Sequence, residues 1–175
     1  MRLSSERCGG REMEPPAELL RMHRHSLTSL LVIGGQAVDR RAVAYSFHRE
    51  SPMKQGPFIA LDCRFDESRL RPALQAVLTD TAPDPGPDPV RAAWCGTLFL
   101  DNVEALPDDT QRLLLCFAQH TLGGSVAESG GWPVRIAAGA REGTATAFPS
   151  VFLPELYDEI DKIRVDLADI EVGAA

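Results

Sequence analysis

No apolar run in this sequence approaches the roughly 20 residues that a membrane-crossing helix needs. The first residues carry Arg2, Arg7 and Arg11 with no apolar stretch behind them, so they do not read as a secretory signal. An excess of positive charge is missing too. The net charge of -7 argues against a general nucleic-acid or membrane-surface binder. Four cysteines (Cys8, Cys63, Cys95 and Cys116) show no C-x-x-C spacing, and a reduced, cytoplasmic setting is the default. Cys63 and Cys116 lie in apolar runs and read as small buried hydrophobes. His23 and His25 lack an acidic or thiol partner at ligand spacing and read as surface residues. There is no Ser/His/Asp set, metal cluster or redox pair. What remains is ordinary: 175 residues, 44% apolar and 25% charged, enough for one domain with a proper core.

The stretch that organises the chain is Gly96 to Pro107 (GTLFLDNVEALP). Thr97 to Leu100 are apolar or β-prone and end abruptly in Asp101, as a strand buried on both faces of a parallel sheet does. Ligands sit at the carboxyl ends of such strands, where a carboxylate often holds magnesium beside nucleotide phosphates. A carboxylate that merely ends a core strand reads the same way. Around this stretch, strands are expected at Ser29–Ile33, Pro57–Cys63, Trp132–Ala138 and Ile163–Leu167. Helices are expected from Pro15-Pro16 to Arg24, and over Asp39–Arg49, Asp66–Leu78, Pro107 to before Gly123, and Phe152–Ile160. Asp66 is a candidate N-cap, with Pro72 bending that helix or delaying its start. Thr79–Arg91 (TDTAPDPGPDPVR) reads as an exposed loop. Strands alternating with helices predict a parallel sheet. Trp94 and Trp132 read as packing residues, and His120 sits at a helix C-terminus, where the dipole suits it. The acidic stretch Pro154–Asp161 reads as a solvated helix face.

In their order, several pieces resemble the central AAA+ ATPase domain of sigma-54-dependent transcription activators, the bacterial enhancer-binding proteins. These are His48-Arg49-Glu50-Ser51-Pro52, Gly56 to Cys63, Gly96 to Pro107, Thr110 to Leu114, Val134 to Ala138, and Phe152 to Ile160. The resemblance covers roughly Leu27 to Leu167. It implies an α/β fold: a three-layer, P-loop-type (AAA+-like) parallel five-stranded sheet flanked by helices, here without the helical lid. The expected organisation is a flexible leader over 1–14, a single degenerate AAA+ domain over 15–170 and a tail over 171–175.

The departures from the family pattern fall on its chemistry. A working P-loop uses glycines to bring backbone N–H groups to phosphate and a lysine to reach the terminal ones. Here the loop reads Gly34-Gly35-Gln36-Ala37-Val38-Asp39-Arg40-Arg41. Gly34 matches the first glycine, Asp39 stands at the last glycine and Arg40 at the lysine, whose compact ammonium a planar guanidinium does not replace. Asp101 matches the metal-holding aspartate, but Asn102 stands where the family has its water-activating glutamate, and an amide cannot take that proton. Arg141 stands at the sensor asparagine, and Leu153 and Glu159 at the finger arginines. The sigma-contacting loop motif is absent, and the chain stops near Ala175, where the family continues into a lid and a DNA-binding helix-turn-helix.

The expectation is therefore a pseudo-ATPase with no catalytic residues, no metal and no cofactor, and a vestigial nucleotide site at Gly34, Arg40 and Asp101. It is expected to work in transcription regulation by binding a protein, with an intact AAA+ activator subunit as the natural partner and no direct contact with DNA or membrane. Loss of the ring-forming nucleotide site and fingers favours a monomer or a hetero-complex. The alternatives are an ATP/Mg-binding protein with weak or no hydrolysis, using Arg40, Asp101 and Arg141, or a truncated relic.

Overall fold

The computed structural model of the chain describes residues 17–81, 86–121, 133–143 and 152–168. Apolar runs form the central strands because parallel strands must bury both faces. Leu30–Ile33 (β1), Gly96–Asp101 (β3) and Val134–Ala140 (β4) are buried at every position. Phe58–Asp62 (β2) and Ile163–Asp166 (β5) are only partly buried. They are the edges of one five-stranded parallel sheet of order β2-β3-β4-β1-β5.

Side-chain alternation divides the core into two layers of packing. On one face Leu31, Ile33, Leu61, Leu98, Leu100, Ile136 and Ala138 meet four helices: Glu67–Leu78 (α3), Pro89–Ala92 (α4), Asp108–Gln119 (α5) and Pro154–Ile160 (α6). On the other face Leu30, Val32, Phe99, Ala137 and Val165 meet Val43, Ala44 and Phe47 of Ala37–Glu50 (α2), with Leu19 of Ala17–His23 (α1) against them. Phe99 and Asp101 lie two residues apart on one strand. The parity that turns Phe99 toward α2 therefore turns Asp101 the same way. That single fact positions the site.

The expected elements are present with shifted ends, and several particulars differ. α2 starts at Ala37, two residues before the expected start at Asp39. Pro72 neither delays nor interrupts α3, which runs unbroken through it from Glu67. Asp66 stands at the N-cap position but makes no cap hydrogen bond; its Oδ2 accepts from the Asp62 N–H at 3.0 Å instead. The loop expected at Thr79–Arg91 contains the start of α4, because the Asp88 carboxylate accepts from the Val90 and Arg91 N–H groups, both at 2.9 Å. Cys63 is buried, which pushes its thiol pKa up, but Cys116 lies on the exposed side of α5. Trp94 keeps 46% of its surface exposed rather than packing inside. His120 ends α5, its Nδ1 2.6 Å from the Cys116 carbonyl. The expected leader, tail and Trp132 lie outside the described residues. No helix among the described residues is long and apolar enough to cross a membrane.

One buried basic pair ties α2 to the sheet. Arg135 of β4 is 1% exposed and donates to the carbonyls of Thr28 (3.0 Å) and Phe47 (3.3 Å), while its Nη2 has no partner among the described residues. Burial lowers its pKa to about 10. The same burial, aided by the Arg135 charge, holds His48 below its ordinary 6.5, with its Nδ1 3.0 Å from the Thr97 hydroxyl. A histidine with a depressed folded pKa is neutral in the fold and must take up a proton on unfolding in acid. Its contribution is thus complete above pH 6.5 and is lost as pH falls through the folded value. Urea midpoints measured from pH 7.5 down to 5.0 are expected to fall, and His48→Gln to fall less over the same window.

Candidate functional site

The residues at the carboxyl ends of the strands close on each other. Gly34 and Gly35 take φ values of +81° and +58°, a left-handed turn that glycine makes without strain. This turn carries the chain from β1 into α2 and places Arg40 in the first turns of that helix, over the end of β3. Arg40 is 3% exposed, and its guanidinium grips Asp101 in a two-point pair. Nε donates to Oδ1 at 2.6 Å and Nη2 to Oδ2 at 3.0 Å. Nη2 also donates to Asn102 Oδ1 at 3.3 Å, and Nη1 to the carbonyls of Gly34 (3.2 Å) and Gly35 (2.9 Å). A guanidinium has five N–H donors, and each has a partner here.

Asp101 is equally committed, since its Oδ2 also accepts from Asn102 Nδ2 at 3.2 Å. Asn102 adopts a left-handed backbone (φ 52°, ψ 44°), which asparagine tolerates better than most residues. From there its amide reaches Asp62 Oδ1 at 3.0 Å as well. Asp62 lies opposite Asp101 in the β2–β3 register. Its hydrogen bonds from Arg64 hold its carboxyl below the usual carboxylate range. Gly139 of β4 makes room for the pair, because a Cβ there would stand 2.3 Å from Asp101 Oδ1 and 3.2 Å from Arg40 Nε.

The other expected positions are also engaged. Asp39 Oδ2 accepts from the Gln36 N–H at 3.0 Å, so the N-terminus of α2 already holds an anion of its own. Arg141 Nε donates to the buried Glu104 at 2.8 Å. Leu153 donates its N–H to Gln111 Oε1 at 2.7 Å, and Glu159 pairs with Lys162 across 3.8 Å. A cavity of about 400 Å³ opens beside the pair, lined in part by Asp62, Asp66, Asp101 and Arg41.

This arrangement does not fit a magnesium nucleotide. The cation that would meet phosphate has spent its donors, the carboxylate that would hold the metal is neutralised by it, and three of the four charged residues lining the cavity are acidic. Gly34, Arg40 and Asp101 are brought together as the sequence implies, but bonded to one another. Asp62, Glu104 and Gly139 were not singled out from the sequence. A signal existed for Asp62, since β2 and β3 both end in aspartate; Glu104 and Gly139 carry none.

The parallel sheet, the glycine turn after β1 and the acidic end of β3 together define a P-loop domain of AAA+ type. The family model described as "Sigma-54 interaction domain" matches residues 10–166, and the chain belongs to that family. It is 30% identical over 95 residues to UacR of Escherichia coli (strain K12), named as a uric acid sigma-54-dependent transcriptional regulator; the match covers 51% of this chain and 16% of that protein. The fold is similar to NtrX from Brucella abortus, solved in complex with ATP, with a TM-score of 0.65 at 19% identity, over 86% of this chain and 35% of that one. It is also similar to the P-loop NTPase domain of an Escherichia coli sigma-54 activator, with a TM-score of 0.58 at 18% identity, over 86% of this chain and 98% of that domain. The chain thus spans about a third of NtrX and a smaller part of UacR.

Removing one partner of a buried ion pair leaves an uncompensated charge, at a cost of about 3–5 kcal/mol. Arg40→Met is expected to lower the unfolding free energy by about that much. The double variant Arg40→Met/Asp101→Leu should recover most of the loss in urea titrations.

Proposed function

We propose that this chain is a non-catalytic member of the sigma-54 interaction domain family that acts in transcription regulation by binding another protein. The observation that carries the reading is the buried Arg40–Asp101 pair, in which the two groups that phosphate and metal would need neutralise each other. Nucleotide binding would have to break that contact and three further donor bonds of Arg40, and also displace the Asp39 carboxylate from the start of α2. Asn102 offers no proton acceptor of carboxylate strength, and its amide is held between Asp62 and Asp101. The retained core supports a role in which the folded surface itself is the working part. The partner we favour is an intact AAA+ activator subunit, whose strand and helix framework this chain shares. Overall charge supports a protein rather than DNA.

Isothermal titration of the purified protein with ATP and with ADP, magnesium present, is expected to give no binding heat. Saturable binding abolished by Asp101→Asn would overturn the loss of nucleotide. Co-expression with a sigma-54-dependent activator is expected to yield a complex that survives size-exclusion chromatography. Separate elution under all conditions would remove that partner.

A further inference from the structure

The open edge of the sheet carries a second feature that the closed strand ends do not use. In a parallel sheet, alternate residues turn their backbone groups toward one neighbour. The Pro57 carbonyl accepts from Thr97 N–H at 2.8 Å, and Cys63 N–H donates to the Asp101 carbonyl at 2.9 Å. That parity turns Pro57, Ile59, Leu61 and Cys63 toward β3 and turns Phe58, Ala60 and Asp62 outward. Asp62 is satisfied locally: its N–H donates to Asp66 Oδ2, and its carbonyl accepts from the Phe65 and Asp66 N–H groups. Phe58 and Ala60 have no strand beyond them among the described residues. Their N–H and C=O groups are the type of edge that an added strand completes.

Beside this edge lies a groove of about 740 Å³ between α2 and β2, lined chiefly by Val38, Arg41, Tyr45, His48, Lys54 and Phe58. Val38 is 66% exposed and Tyr45 47% exposed, large values for apolar and aromatic side chains on a helix. Tyr45 stands edge-on to Phe58, ring centroids 5.2 Å apart, so the groove floor is an ordered aromatic wall. Arg41 and Lys54 make no ion pair with any described residue, and none of the described residues lining the groove is a carboxylate. On a chain of net charge -7, this is a local inversion of sign.

We propose that this groove binds an extended segment of a partner protein, carrying an apolar or aromatic side chain flanked by carboxylates, which adds as a strand outside β2. Backbone bonds to Phe58 and Ala60 supply direction, the Tyr45–Phe58 wall takes the apolar side chain, and Arg41 and Lys54 take the carboxylates. Pocket specificity joined to main-chain bonding is how strand addition recognises peptides. The proposal rests on the protein-binding reading above and names its surface. A nucleic acid suits the groove less well, because the cavity continuing from Val38 and Arg41 is lined by Asp62, Asp66 and Asp101. A second copy would bring another net charge of -7 to the same edge.

The test starts from a phage-displayed random-peptide library panned on the whole protein. The selected peptides are expected to share an apolar or aromatic residue next to Asp or Glu. The synthetic peptide should bind at least ~10-fold more weakly to Arg41→Glu/Lys54→Glu, as close charge pairs require. It should also bind more weakly to Tyr45→Ser, with unfolding midpoints unchanged, and should slow amide exchange at Phe58 and Ala60. No enrichment, a basic consensus, or a peptide indifferent to these substitutions overturns the proposal. So does tight binding of oligothymidylate that the charge reversal removes, or a dimer that it dissociates. An activator complex that persists in Arg41→Glu/Lys54→Glu overturns this surface and leaves the protein-binding reading standing.

Discussion

The contact on which the strand-end region depends is the two-point pair between Arg40 and Asp101. A buried ion pair stabilises only when the desolvation of both charges is offset by complete hydrogen bonding. That condition explains the surroundings. Gly34 and Gly35 present carbonyls to the guanidinium because their left-handed turn bends the chain under it. Asn102 supplies one more acceptor to Arg40 and one donor to Asp101. Gly139 lacks the Cβ that would collide with the carboxylate. Each neighbour has a reason to be what it is without reference to any ligand.

Much of the fold was legible because its strands are short apolar runs with abrupt ends. A run such as Leu30–Ile33 between polar and glycine-rich segments admits few other readings. The parallel order followed from alternation of strand and helix. Less legible was anything decided by one cap or one exposed face. Asp88 starts a helix in a segment whose Pro and Asp content reads as a loop, because a single carboxylate satisfies two N–H groups. Cys116 sits among leucines in sequence yet on the outer side of its helix, which an apolar run alone does not distinguish.

The site was legible in membership and illegible in arrangement. Gly34, Arg40 and Asp101 could be placed together from the family pattern, and they do meet. Nothing in the spacing says that a guanidinium reaches a carboxylate 61 residues away and spends its remaining donors on the atoms around it. That outcome depends on side-chain length. A lysine at the same place has three donors and no planar fork, so it cannot hold the carboxylate at two points and also reach two carbonyls across the turn. The adjacent Asp39 completes the change by putting an anion where the start of α2 favours one.

These substitutions also bear on how such a domain behaves. In a nucleotide-driven domain, a phosphate joins the first turn of the helix to the end of the neighbouring strand, and its loss lets them part. Here that connection is made by side chains of the chain itself, between α2 and β3. It does not depend on ligand concentration. Under the reading proposed above, the face formed by α2 and the β2 edge therefore keeps one geometry. A partner meeting it has no conformational equilibrium to shift before binding, and its affinity is not reduced by an unpopulated competent state. Under that same reading, replacing a switched connection by a permanent one exchanges regulation by nucleotide for a surface that is always presented.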